Sequence, residues 1–295
     1  MPKKIIILGS NGQLGRELSI RLSGDNTLAF TKSDCDITNE TEINTLLSHY
    51  QNSIVINASA YTKVDEAEKE FHKAELVNAK GVGFISSACK KTNSHLVHFS
   101  TDYVFDGNAS KPYKENDHTS PVNLYGKSKL AGEKVATISM EKLYIFRTSW
   151  VYGEYGNNFP KTMLSLLKEK NELKVVDDQI GVPTSTAFLA MVTTKFVKKI
   201  ILNSPFEYGI YNIVPDGSCS WFDVSNFIFS FLQTNMPKDL KTTKIFPVDS
   251  SEFPTLAKRP KYSLLNNTKL KKTINIKPYN WDVYLHEFLK SFTDE

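Results

Sequence analysis

The sequence predicts an α/β fold built on a parallel β-sheet, and three observations lead to that class. Short apolar runs alternate with amphipathic stretches over the first half of the chain. The first run, Ile5–Leu8, is continuously apolar, as is typical of a parallel strand buried on both faces. A glycine-rich turn follows directly, and Leu14, Leu18 and Leu22 then recur at helical spacing.

The remaining elements of the first half continue this alternation. A helix is predicted after Asn39, because Asn39 is a candidate N-cap and Glu42 lies three residues further on. Further strands are predicted within residues 26–30, 53–60, 95–107 and 142–153, and further helices at 66–92 and 123–139. Ligands of such sheets bind beyond the carboxyl ends of the strands. We therefore expect the segments that follow the strands to meet at one edge.

After residue 150 the alternation loosens. Helices are predicted within residues 157–170, 185–202, 220–234 and 281–292, and strands within 172–186 and 208–214. Phe222, Phe227 and Phe231 form an aromatic stripe that we expect to be core. No internal repeat or low-complexity linker interrupts the sequence.

Composition excludes several classes of protein. The chain has 295 residues, 40% hydrophobic and 23% charged, which is typical of a globular protein of one large or two modest domains. Its net charge of +4 is spread along the chain, which argues against nucleic acid as a partner. Cys35, Cys89 and Cys219 have no metal or disulfide spacing. The apolar run at the N-terminus is too short for a signal peptide or membrane span, so we expect a cytoplasmic protein.

The glycines of the first turn, Gly9, Gly12 and Gly15, are spaced G-x-x-G-x-x-G. Their position after a buried strand and before a helix suits a dinucleotide pyrophosphate, which needs close backbone approach and free N–H groups. A tight structural turn is the alternative. With this site included, the prediction is a Rossmann-type doubly wound parallel sheet with a smaller α/β substrate-binding lobe.

The predicted division of the chain assigns residues 1–150 to an NAD(P)-binding Rossmann domain, to which the chain returns around 172–204. Residues 151–171 and 205–295 are assigned to the substrate-binding lobe.

The choice of cofactor depends on the second strand. An acid roughly 20 residues past the glycine turn would hold the ribose hydroxyls of NAD, and Asp34 and Asp36 lie near that distance. However, the predicted strand ends at Lys32 with no acid at its tip, and Lys32 could face a 2′-phosphate. This favours NADPH, with NADH possible.

Tyr125 and Lys129 lie four residues apart in a predicted helix, and so on one face. A lysine ammonium near a phenol lowers the phenol pKa, which would make Tyr125 a usable proton donor. Two residues on a solvated helix are the alternative, and the surroundings must decide.

Gly9-x-x-Gly12-x-x-Gly15, Thr101 and Tyr125-x-x-x-Lys129 occur in an order that resembles the extended short-chain dehydrogenase/reductase family. Within it the chain resembles the dTDP-4-dehydrorhamnose reductase branch from residue 9 to about 260. The blocks that carry this narrower resemblance are GSNGQLG, NASAYTKVDEAE, STDYVFDG, LYGKSKLAGE, FRTSWVYG, NNFPKTML, DDQIGVPT and a late RP.

The resemblance implies reduction of the carbon-4 ketone of dTDP-4-dehydro-β-L-rhamnose by hydride from the nicotinamide. Tyr125 would donate the proton. Lys129 would lower the pKa of Tyr125 and hold the nicotinamide ribose. The Thr101 hydroxyl would orient the ketone oxygen.

The resemblance also implies further contacts. The cofactor residues are Gly9, Gly12, Gln13, Leu14 and Gly15 at the pyrophosphate, Asp36 and Ile37 at the adenine, and Ala60, Tyr61 and Thr62 along the cofactor. The substrate residues are Thr101, Asp102, Trp150 and, at the diphosphate, Arg259. Trp150 as core and Arg259 as a surface residue are the alternatives.

The expected partner is a small nucleotide-sugar substrate, with no membrane and no nucleic acid, and the chain is a monomer or homodimer. Glu17 is one acidic side chain that could bind a structural magnesium, but the segment after VPT offers no second acid, so we expect no structural magnesium. Two other functions stay open. One is reduction of another nucleotide-linked 4-keto-6-deoxy sugar, and the other is a non-catalytic NADP-binding regulatory subunit. A dehydratase is disfavoured, because only Asp102 and then Tyr103 follow the threonine.

Overall fold

A six-stranded parallel sheet forms the centre of the computed structural model, which describes residues 3–24, 26–204 and 206–293. The strands are β1 (Ile5–Leu8), β2 (Thr27–Phe30), β3 (Ile54–Asn57), β4 (His95–Thr101), β5 (Leu143–Thr148), β6 (Val151–Tyr152), β7 (Glu172–Val176), β8 (Ile180–Gly181), β9 (Thr184–Ser185), β10 (Gly209–Asn212), β11 (Cys219–Ser220) and β12 (Lys244–Val248). In the central sheet their order is β10-β5-β4-β3-β1-β2.

Helices cover both faces of this sheet. The helices are α1 (Gln13–Arg21), α2 (Glu40–Ser48), α3 (Phe71–Glu75), α4 (Gly81–Lys91), α5 (Leu124–Ser139), α6 (Phe159–Glu169), α7 (Thr186–Ile201), α8 (Trp221–Asn235), α9 (Thr268–Ile274) and α10 (Trp281–Lys290). Apolar residues of α1 and α7 pack on one face, and those of α2, α4 and α5 pack on the other. The predicted doubly wound α/β fold is confirmed.

The chain between residues 66 and 91 departs from the single helix that the sequence predicts. A 3₁₀ turn at Glu66–Glu68 precedes α3, and a π-turn at Leu76–Lys80 joins α3 to α4. The Glu68 carboxylate accepts a hydrogen bond from the Leu124 N–H at the start of α5. This contact ties the 3₁₀ turn to α5 and not to α3. By contrast, Asn39 caps α2 as predicted, accepting from the Thr41 and Glu42 N–H groups.

Two strands pair in sheets other than the ones that the predicted domain division suggests. Gly209–Asn212 was expected in the smaller lobe, but it pairs with β5 as the edge strand of the central sheet. Glu172–Val176 was expected near the Rossmann domain, but it pairs with Lys244–Val248 in a separate two-stranded sheet. In both cases the partner strand lies far away in the chain, so local pattern cannot select it. Helix α7 packs on α1.

The second lobe has its own hydrophobic core, made from α6, α8, α10 and the β7–β12 sheet. Phe231 is buried in it, and Phe222 and Phe227 pack against it, which confirms the aromatic stripe as core. None of the helices in the described ranges is long and apolar enough to cross a bilayer.

Gly126 and Gly132 let α5 approach its neighbours closely. Gly132 provides a test of this packing. A Cβ at Gly132 would lie 2.0 Å from the Asn78 carbonyl oxygen, which is backbone and cannot rotate away. We expect Gly132→Ala to lower the free energy of unfolding by about 1–3 kcal/mol, measured by urea denaturation.

The matched control is Gly83→Ala in α4, where the added Cβ would meet only the Val135 side chain. Val135 is 37% exposed and can shift more easily than a buried backbone carbonyl, and alanine favours the helix, so we expect a smaller loss of stability than for Gly132→Ala. Equal destabilisation of the two variants would contradict the proposed backbone clash.

Candidate active site

The glycine turn after β1 forms a cradle that side chains would fill. Gly9 has a φ of +78° and a Cβ there would lie 2.5 Å from the Ser59 Oγ, while a Cβ at Gly15 would lie 2.1 Å from the Gly9 carbonyl oxygen. Gly12 caps α1 without a side-chain hydrogen bond, so the first N–H groups of the helix keep no side-chain acceptor. This cradle fits a phosphate anion.

The side chains of Gln13 and Leu14 are occupied elsewhere. Gln13 Oε1 accepts a hydrogen bond of 2.8 Å from Asn158 Nδ2, and Gln13 Nε2 lies 3.4 Å from the Val151 carbonyl oxygen. The Leu14 side chain packs against the core beneath the sheet. Only the backbone of these two residues therefore remains for the predicted pyrophosphate role. Asn158, which also caps α6, was not predicted.

The tip of β2 carries Lys32, whose side chain is 77% exposed and whose Nζ lies 3.5 Å from the Asp36 carboxylate. Burial raises the pKa of Asp36, but hydrogen bonds from Thr38 and the charge of Lys32 outweigh it, and the pKa lies below its ordinary value. Asp36 is thus charged and already has partners within its loop. The neighbouring Ile37 is buried.

Asn78 joins the third strand's loop to the helix that carries Tyr125. Its buried side chain accepts from the Tyr61 N–H at 2.9 Å and donates to the Tyr61 carbonyl at 3.0 Å and to Ser128 Oγ at 2.9 Å. Ala60 and Thr62, on either side of Tyr61, are exposed. Asn78 was not predicted, although a polar residue inside a predicted helix is the signal that could have found it.

Thr101 and Tyr125 meet at the carboxyl end of β4. The Thr101 hydroxyl accepts from the Tyr103 N–H at 3.2 Å and donates to Asp102 Oδ1 at 3.0 Å. It also lies close enough to the Tyr125 phenol to affect the pKa of that phenol. The structure therefore brings together the hydroxyl pair that the sequence predicted.

The pKa of Tyr125 corrects one expectation. Burial raises it above its ordinary value and the Asp102 charge adds to this, while the Thr101 hydroxyl acts in the opposite direction. Lys129 is not among the groups that shift this pKa, and its ammonium donates a 2.6 Å hydrogen bond to the Phe99 carbonyl in β4. Lys129 is 2% exposed, and burial lowers its own pKa to about 8.

Asp102 is an unusual acid in this site. It is 2% exposed, and burial raises its pKa to about 6 although the neighbouring Ser263 and the hydrogen bond from Thr101 favour the charged form.

A cavity of about 920 Å³ opens beside these residues in the second lobe. Apolar side chains of α6, β7 and α8 form one wall, and residues 249–261 form the other. Thr101 and Tyr125 do not line it, but Tyr103 does, and its ring lies edge-on to Tyr125 at 5.8 Å between centroids. Tyr103 therefore connects the cavity to the hydroxyl pair.

Trp150 extends the aromatic wall next to the cavity. It has a left-handed φ of +46°, and its ring stacks on Trp221 with 3.6 Å between centroids. Gly181 lies against the Trp150 ring, where a Cβ would come within 2.7 Å. A bulky residue in this backbone region is strained and persists only where its surroundings enforce it.

Arg259 lines the cavity but already has an acidic partner. Its Nη1 and Nη2 donate to Asp65 Oδ1 and Oδ2 at 3.1 and 2.7 Å, and Nη1 also donates to the Ala257 carbonyl. The hydrogen bond from Arg259 is the main reason that the pKa of Asp65 lies below its ordinary value. Asp65 lies in one of the quoted blocks, yet its role was not predicted.

No group of three or more histidine, cysteine, aspartate or glutamate side chains that could hold a metal ion occurs within the described part of the chain.

Comparisons with known proteins cover nearly the whole chain. The RmlD substrate binding domain family matches residues 3–294. A dTDP-4-dehydrorhamnose reductase of Aggregatibacter actinomycetemcomitans is 41% identical over 94% of this chain and 95% of its own length. The spore coat polysaccharide biosynthesis protein SpsK of Bacillus subtilis is 37% identical over 97% of each chain.

A solved structure is also similar throughout. The dTDP-4-dehydrorhamnose reductase of Bacillus anthracis, solved in complex with NADP, has a TM-score of 0.89 and 39% identity. The similarity covers 99% of this chain and 100% of that one.

Asp102 makes the stability of the fold depend on pH. Because its pKa is about 6 when folded, against an ordinary 3.8, the folded state binds its proton more tightly. The resulting stabilisation is complete below about pH 4 and is lost as the pH rises through about 6. As the pH rises from about 4 to above 6, the free energy of unfolding of the wild type should fall by about 3 kcal/mol relative to that of Asp102→Asn, measured by urea denaturation.

The control for this prediction is Asp239→Asn, which removes an exposed carboxylate that pairs with Lys168 on the surface. Its stability relative to the wild type should change little over the same pH range. A pH-independent difference for Asp102→Asn would contradict the raised pKa.

Proposed function

The chain belongs to the dTDP-4-dehydrorhamnose reductase family, and from this premise we propose that it reduces dTDP-4-dehydro-β-L-rhamnose to dTDP-L-rhamnose with NADPH. The observation that carries the proposal is the hydroxyl pair of Thr101 and Tyr125. It lies at the carboxyl edge of the sheet, with a phosphate cradle at β1 and a large cavity in the second lobe.

The cradle and the tip of β2 fit NADPH. The backbone of Gly9, Gly12 and Gly15 and the free N–H groups of α1 would hold the pyrophosphate. Lys32 is exposed and would face the 2′-phosphate. Its ammonium would then pair with the phosphate instead of with the Asp36 carboxylate. When bound, the cofactor supplies hydride to the carbon-4 ketone.

The raised pKa of Tyr125 suits the reductive direction. A phenol that keeps its proton at neutral pH can donate that proton to the oxygen of the reduced ketone. Thr101 orients that oxygen through the same hydroxyl that contacts Tyr125, and it is itself held by the Tyr103 N–H. Lys129 places a buried positive charge on the same helix face and would contact the nicotinamide ribose.

The cavity has the size and the chemistry for a sugar nucleotide. Its volume falls at the upper end of the range for small-molecule sites, and its walls are largely apolar. The stacked pair of Trp150 and Trp221 would cover the apolar face of the 6-deoxy sugar. Arg259 would bind the diphosphate, which offers the same bidentate geometry as the Asp65 carboxylate that it now holds.

The remaining predicted contacts belong to this proposal. They are Gln13 and Leu14 through their backbone, Asp36 and Ile37 at the adenine, Ala60, Tyr61 and Thr62 along the cofactor, and Asp102 at the sugar. We also propose the cytoplasm as the compartment, since NADPH and sugar nucleotides are supplied there. The chain being a monomer or a homodimer stays a prediction.

The test is NADPH oxidation by the purified chain with dTDP-4-keto-6-deoxy-glucose, with and without the epimerase that supplies the L-lyxo ketone. We expect oxidation only with the epimerase, and dTDP-L-rhamnose as the product. Oxidation without the epimerase would indicate another keto-sugar reductase. NADPH binding without turnover in either mixture would indicate a regulatory subunit.

Replacing Tyr125 tests the proton donor. Tyr125→Phe should lower kcat by about 10²–10⁴-fold, because the phenylalanine ring has no proton to give. Its affinity for NADPH should stay close to that of the wild type, measured by fluorescence titration. The exposed Tyr279→Phe serves as the control and should keep full activity. A Tyr125→Phe chain with undiminished kcat would show that another group donates the proton.

Replacing Arg259 tests the diphosphate contact. Arg259→Met should raise the KM for the sugar nucleotide by about 10–100-fold with a smaller change in kcat, because a charge-assisted hydrogen bond contributes about 1.5–3 kcal/mol. Arg21→Met, which removes a surface arginine paired with Glu17, is the matched control. An unchanged KM for Arg259→Met would mean that Arg259 only holds Asp65.

A further inference from the structure

Helix α5 carries a second buried charge one turn beyond Lys129. Glu133 is 3% exposed and faces Arg147, which is 2% exposed, across the gap between α5 and β5. Arg147 Nε donates to Glu133 Oε1 at 2.9 Å and Nη2 donates to Oε2 at 2.6 Å. This two-bonded geometry is the strongest form of an arginine–carboxylate contact.

Arg147 is held from two further directions. Its Nη1 donates to the Glu115 carbonyl oxygen at 3.1 Å, and its guanidinium lies 5.1 Å from the centroid of the Phe105 ring. Its position in β5 is opposite Ser100 in β4, one residue before Thr101. The ion pair therefore fixes α5 to the two strands whose ends form the proposed catalytic site.

The charged and titratable groups that face Lys129 come from α5 and β4. On its own helix they are Tyr125, one turn before it, and Glu133, whose negative charge favours its protonated form. From β4, His98 is buried and held neutral, partly by the charge of Lys129 itself. Arg147 belongs to the same group of charges because it forms an ion pair with Glu133. Glu133 thus pairs directly with Arg147 and, four residues along the same helix from Lys129, also adds a negative charge near that buried ammonium.

We propose that Glu133 is a positioning residue, which with Arg147 as its counter-ion keeps the buried Lys129 charged and in place. The kinetic part of this proposal rests on the proposed function, because Lys129 acts there beside Tyr125 and the nicotinamide ribose. The electrostatic part concerns only the charges of this chain.

Opposite changes should follow from removing either member of the pair. Without the Glu133 charge, Lys129 and Arg147 remain as two uncompensated cations, so Lys129 loses its proton more easily. Without Arg147, Glu133 has no partner except Lys129, so Lys129 holds its proton more tightly. Without both, the cluster again has one charge, that of Lys129. A merely structural pair would not produce this reversal of sign.

The experiment measures the dissociation constant for NADPH between pH 6 and pH 9.5 by fluorescence titration. The chains are the wild type, Glu133→Gln, Arg147→Met and the double variant. We expect the wild-type affinity to fall through about pH 8, as Lys129 deprotonates. The midpoint should fall by about one pH unit in Glu133→Gln, rise in Arg147→Met and return toward the wild type in the double variant.

Controls separate charge from folding. Affinity at pH 6, where Lys129 is charged in every chain, should differ little among the folded variants. Glu141→Gln, an exposed acid just past α5, should keep the wild-type profile. Affinity lowered by the same factor at every pH in each variant would overturn the proposal.

Removing one partner of a buried ion pair is costly, and Glu133→Gln can fail to fold for that reason. In that case Glu133→Asp decides, since it keeps the charge but withdraws it from Lys129. A lowered midpoint supports the proposal, and an unchanged midpoint overturns it. A wild type that binds no NADPH at any pH would instead overturn the proposed function.

Discussion

The burial of a polar helix face against the sheet is the constraint on which the site depends. Helix α5 approaches its neighbours so closely that a Cβ at Gly126 would lie 2.2 Å from the Tyr103 carbonyl oxygen, and Gly132 is as tightly placed against Asn78. This approach removes the ammonium of Lys129 and the carboxylate of Glu133 from water. Each buried charge then needs a fixed partner, because an unpaired one is strongly unfavourable.

The same burial explains the electrostatics of the hydroxyl pair. Tyr125 keeps its proton and Asp102 has a raised pKa because both lie where charge is poorly solvated. A site that holds its acid protonated at neutral pH is organised for reduction of a ketone, in which the developing oxyanion takes up a proton. The close packing of α5 thus produces both the buried charges and the raised pKa values of the site.

Contacts between the lobes join the glycine turn to the large cavity of the second lobe. The hydrogen bond between Gln13 and Asn158 ties the glycine turn to the start of α6, whose apolar face lines the cavity. On the other side, the ion pair of Asp65 and Arg259 ties the loop after β3 to the cavity's outer wall. A ligand that binds Arg259 must therefore compete with a carboxylate that comes from the cofactor side.

The sequence by itself determined the elements whose signals are local. It predicted the strand at Ile5–Leu8, the glycine turn, the cap at Asn39 and the shared helix face of Tyr125 and Lys129, all within short windows of the chain.

Only the tertiary structure decided which distant residues meet. Asp65 and Arg259 lie 194 residues apart in sequence, and the edge position of Gly209–Asn212 and the partners of Asn78, Glu133 and Arg147 depend likewise on contacts outside any local window. The raised pKa of Tyr125 also depends on the tertiary structure. The spacing places a lysine on the same helix face, but the burial of Tyr125 and the hydrogen bond of the Lys129 ammonium to Phe99 come from the fold.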